Sequence, residues 1–143
     1  MTDRWMRGGA TGASVALAVT LVFTLSACAP PRALESESGL LIPVAGEDNG
    51  MEALLTGVLI RTAEGCLAVA EPESALDYRV VAPPATRLLA DDVIDMPEYG
   101  ELRLGDEVAF GGGWQSPDSE ALAADIPEAC VAGDEIFFIN AQS

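Results

Sequence analysis

Thr56-Gly57-Val58-Leu59-Ile60-Arg61 and, across Ala63-Glu64-Gly65, Cys66-Leu67-Ala68-Val69-Ala70 form the stretch whose reading decides the fold. Both runs are short, rich in branched apolar residues and separated by small and polar ones, which is the signature of a β-hairpin. Period-two alternation assigns Val58 and Ile60 to the same core as Leu67 and Val69. Working outward, Tyr78 to Ala82 reads as a third strand stopped by Pro83-Pro84. Val93 and Ile94 form a short fourth element ended by Met96-Pro97, and Leu102-Arg103-Leu104 leads through Gly105-Asp106 into a strand over Glu107 to Gly111. The last strand covers Glu135 to Ala141, with Ile136 and Phe138 expected to point inward. One short helix is expected within Asp118 to Ile126, around Ser119-Glu120-Ala121-Leu122-Ala123-Ala124, capped by Asp118 and stopped by Pro127.

Six or so short strands and one small helix predict a mainly β domain, a small antiparallel barrel or roll of which the OB-type fold is one member. A small sandwich is the alternative. No internal repeat is present, which excludes a solenoid.

Upstream of the hairpin, Ala29 to Gly50 reads as a tether. Pro30 and Pro31 block helix, Glu35-Ser36-Glu37-Ser38-Gly39 is polar, and Gly46-Glu47-Asp48-Asn49-Gly50 is turn chemistry. A flexible coil of about 20 residues reaches ~25 Å, enough to clear lipid headgroups. Leu40-Leu41-Ile42-Pro43-Val44 is the exception, too apolar to stay wet: it docks on the domain as an edge strand or packs under it, and Pro43 makes an edge position the only strand reading.

Further out, Arg4 and Arg7 precede an uncharged apolar run from Ala13 to Leu25. At about 13 residues it has the length of a signal-peptide core and not the ~20 of a stable span. The run ends in Leu25-Ser26-Ala27-Cys28, which resembles the lipobox of bacterial lipoprotein precursors. That resemblance covers residues 1–28 and implies diacylglyceryl attachment to Cys28, cleavage in front of it and a lipid bilayer as the partner of the acylated cysteine. Arg4 and Arg7 are not adjacent, so the leader lacks a twin-arginine pair. The expected organisation is therefore a signal peptide at 1–27, a lipidated cysteine and tether at 28–50, and a β domain at 51–143.

The mature portion carries 22 acidic and five basic residues, a net charge of −17. Such a surface repels nucleic acid and anionic headgroups. With Cys28 committed to lipid, Cys66 and Cys130 remain as an even pair in an oxidising compartment, and a disulfide is expected over a zinc site because no histidine exists to complete one.

The absence of histidine and lysine closes Ser-His-Asp, Cys-His, Ser-Lys and Schiff-base chemistry. Gly111-Gly112-Gly113 has no following lysine and reads as a bulge or bend at a barrel rim, not a phosphate loop. It presents Trp114 and Gln115 on a loop, where the indole either stacks on a partner or plugs the barrel end. Asp91, Asp92 and Asp95 are weak calcium candidates, set against a solvated acidic face. No cofactor is expected. These residues favour a membrane-anchored extracytoplasmic module, non-enzymatic, that binds or assists an envelope protein or polymer. The alternatives are a small carboxylate-dependent hydrolase of envelope glycan and a divalent-cation-binding surface protein.

Overall fold

The computed structural model describes residues 30–118, 120–123, 125–131, 133 and 135–141; the expected signal peptide, Cys28, Ser119 and Ala124 lie outside the described residues. In chain order the strands are β1 (Arg32–Glu35), β2 (Leu41–Val44), β3 (Ala53–Arg61), β4 (Leu67–Glu71), β5 (Leu76–Val81), β6 (Arg87–Ala90), β7 (Val93–Met96), β8 (Gly100–Arg103), β9 (Glu107–Gln115) and, after the helix α1 (Glu128–Val131), β10 (Ile136–Ile139). Five of them close a barrel in the order β10-β5-β4-β3-β9, so the mainly β barrel reading holds. Within the barrel the first strand pairs with the second and the fourth, a Greek-key order of the OB type. The barrel is not wholly antiparallel, since β10 runs parallel to β5 through Phe137 and Val80.

The β3–β4 hairpin closes as the sequence requires. Thr62 N–H donates to the Cys66 carbonyl at 2.9 Å, Gly65 takes a φ of 91°, and Arg61 pairs with Leu67. The phase of β3 is corrected, however. Leu55 and Leu59 are the buried residues that join Leu67 and Val69 in the core, while Val58 and Ile60 lie half-buried on the outer face. Gly57 holds the inward position between the two leucines. A Cβ there would run into the Ala70 carbonyl, so the missing side chain is what lets β3 and β4 close.

β10 is corrected in the same way. Phe137 and Ile139 face the barrel core, and Ile136 and Phe138 are buried on the other side, in a second small core with Ala45 and Val81. Ala121, Leu122 and Val131 cover that second core. Residues 118–126, expected to be helical, make turns where described. The helix lies one step later, at Glu128–Val131, because Pro127 presets the backbone for a helix start and its carbonyl accepts from Cys130 N–H at 2.9 Å.

The largest correction concerns the tether. β1 and β2 pair in full register from Arg32↔Val44 to Glu35↔Leu41, and Leu40, Ile42 and Val44 sit in the main core. The polar segment read as linker is the hairpin turn: Leu40 N–H donates to Ser36 Oγ at 3.0 Å, and Gly39 takes a φ of 86°. β2 is interior, bridging to Cys66 and Ala82, and β1 is the edge. The folded domain thus includes β1 and β2, upstream of residue 51. β6, β7 and β8 form a separate three-stranded sheet whose Ile94 and Met96 complete the main core.

Candidate functional site

The glycine run lies within β9 and is neither a bulge nor a bend. Gly112 and Gly113 pair with Ile139 and Phe138. Their bare Cα atoms admit the Phe138 carbonyl and the Met51 side chain, which any larger residue would push away. Trp114 and Gln115 are therefore on a strand, not a loop, and the pleat sends them to opposite faces. Trp114 turns into the barrel and stands edge-on to Tyr78 and Phe137, with ring centroids 5.2 and 5.1 Å away.

Gln115 turns outward into a cleft of about 330 Å³ lined by Glu47, Asp48, Met51, Glu120 and Phe138. This wall is built by a strap. Asn49 accepts from Met51 N–H at 2.8 Å and donates through Nδ2 to the Phe138 carbonyl at 3.0 Å. Asn140 donates to the Met51 carbonyl, and its Oδ1 is buried without a hydrogen-bond partner among the described residues. Residues 46–50, expected as turn chemistry within a tether, thus supply the Asn49 side chain that holds the strap to β10.

Cys66 and Cys130 are joined, with Cα atoms 5.3 Å apart. The bond ties the β3–β4 turn to the segment that crosses from β9 to β10. In OB-type barrels those two loops and the face between them commonly hold oligonucleotides or oligosaccharides. Here the second of those loops folds back on the barrel, with Ala121, Leu122 and Val131 packed over Val81 of β5 and Ile136 and Phe138 of β10. In the same hairpin turn, Glu64 is held below the ordinary carboxylate range by a backbone hydrogen bond, by the Thr62 hydroxyl and by the Arg79 charge.

The acidic residues before β8 disperse. Asp95 pairs with Arg87, Asp91 accepts from Ser38 N–H at 3.3 Å, and Asp92 is exposed in the β6–β7 turn. Among the described residues, no three acidic or cysteine side chains converge as a metal site. A separate open groove of about 450 Å³ lies between β3, the β4–β5 turn and β9, with Glu71, Glu73 and Glu107 on its walls. Comparison with family models, curated proteins and solved structures gives no match to the chain.

Proposed function

We propose that the chain is an extracytoplasmic lipoprotein, anchored to the cell membrane through acylated Cys28, whose β domain is a non-enzymatic binding or accessory module. The observation that carries the reading is the order of residues: Arg4 and Arg7, the uncharged run from Ala13, then Leu25-Ser26-Ala27-Cys28. A buried bridge between Cys66 and Cys130 suits the oxidising side of the membrane. The partner is an envelope protein or polymer that presents cationic groups, since the mature chain is strongly acidic and Glu47, Asp48 and Glu120 flank Gln115 in the cleft.

Two variants test the two halves of this reading. Cys28→Ala moves the protein from the membrane to the soluble fraction; continued sedimentation with membranes contradicts the anchor. Gln115→Arg, in the correctly anchored protein, abolishes recovery of the partner after cross-linking in intact cells; unchanged recovery removes the cleft from the account. A second reading, hydrolysis of envelope glycan, draws on the carboxylates of the 450 Å³ groove. It requires that Glu107→Gln abolish release of glycan fragments from purified envelope.

A further inference from the structure

We infer that the folded domain sits directly on the bilayer, with the corner formed by the start of β1 and residues 83–87 facing the lipid headgroups. This inference rests on acylation of Cys28. Once the tether is recognised as β1 and β2, only Ala29, Pro30 and Pro31 separate Cys28 from the first strand residue. Four residue steps span at most about 14 Å even when fully extended. The headgroup layer on one side of a bilayer takes up roughly 5 to 8 Å of that length. The two prolines further limit how the chain can bend.

Nor can β1 peel away to lengthen the link. Its four residues pair with β2, whose Ile42 and Val44 are in the main core, and Leu34 packs against that core. At the membrane end, Arg32 Nη2 donates to the Thr86 carbonyl at 2.7 Å, and Val44, opposite Arg32, bridges to Ala82. The residues closest to the anchor are therefore Pro83 to Arg87. Ala85 is exposed there, and Arg32 and Arg87, two of the five cations in the mature chain, are exposed at the same corner. The Arg32 guanidinium suits a lipid phosphate, while that of Arg87 is already paired with Asp95, on a protein whose remaining surface is dominated by carboxylates. The turn at residues 72–75 begins β5 at the end away from Ala82, and a six-residue strand puts about 20 Å between them.

The test uses full-length lipidated protein in phosphatidylcholine vesicles that contain a headgroup-nitroxide lipid. Cys28 is blocked by lipid and Cys66–Cys130 is oxidised, so a single introduced cysteine takes a fluorophore selectively. With Ala85→Cys the nitroxide quenches emission several-fold more than with Glu73→Cys, and a flexible insertion of about 20 residues after Ala29 removes the difference. Equal quenching at both positions, in protein whose mass shows the lipid, overturns the orientation and leaves the anchor standing. Protein without the lipid mass overturns the anchor and the orientation with it.

Discussion

Gly112 lies so close to the carbonyl of Phe138 that a Cβ at that position would overlap it, whereas the nearest atom to a Cβ at its neighbour Gly111 would be the Tyr99 hydroxyl at 3.7 Å. The contrast separates a glycine that the β9–β10 closure requires from one that it tolerates. Gly112→Ala forces the two strands apart and destabilises the domain by about 2 to 3 kcal/mol. Gly111→Ala stays within about 0.5 kcal/mol of the parent. Urea unfolding of the two variants checks the difference, and equal midpoints would mean that β10 does not close the barrel against β9.

The Cys66–Cys130 bridge spans 64 residues and holds the segment covering Val81, Ile136 and Phe138. Replacing both cysteines by serine removes about 4 kcal/mol by the chain-entropy argument. It also uncovers the second core, so an apolar dye binds the variant below its unfolding midpoint. A variant with unchanged midpoint and no dye binding would show that packing alone holds the segment in place.

The hairpin, the barrel and the disulfide could be read from the residues, because turn chemistry and cysteine parity are local signals. Strand phase was not legible. Val58 and Ile60 have the stronger β propensity, yet the inward positions go to Leu55, Gly57 and Leu59, because only glycine fits against Ala70. Ile136 and Phe138 misled for a different reason: β10 is covered on both faces, so its residues are apolar throughout and alternation carries no information. β1 and β6 were missed because neither Arg32–Glu35 nor Arg87–Ala90 alternates clearly. At the candidate site, Trp114 and Gln115 read as loop residues because three glycines conceal the strand on which they lie, and their opposite orientations depend on that strand.

Trp114 is the only tryptophan among the described residues. Trp114→Ala strips the edge-on contacts with Tyr78 and Phe137 and costs about 3 kcal/mol, while Trp114→Phe retains most of the stability. Thermal unfolding of both variants tests whether the indole fills the barrel. A fully stable alanine variant would return Trp114 to the role of an exposed binding residue.

Glu64 has a folded-state pKa below its ordinary 4.5, owing first to the backbone hydrogen bond, then to the Thr62 hydroxyl, with Arg79 adding to it. A depressed carboxylate stabilises the fold above the unfolded value and loses that contribution as pH falls through the folded one. Carboxyl NMR should therefore place the Glu64 midpoint below 4.5, and Thr62→Val should raise it part of the way. A midpoint at or above the ordinary value would show that the turn does not hold the charged form.

Lipidation of Cys28 underlies both the proposed anchoring and the proposed orientation, and the mass of the amino-terminal peptide of the membrane-bound protein tests it most directly. The predicted result is a chain that begins at Cys28 and carries a diacylglyceryl thioether. A chain that retains residues 1–27, or one that bears an unmodified thiol at position 28, would contradict it.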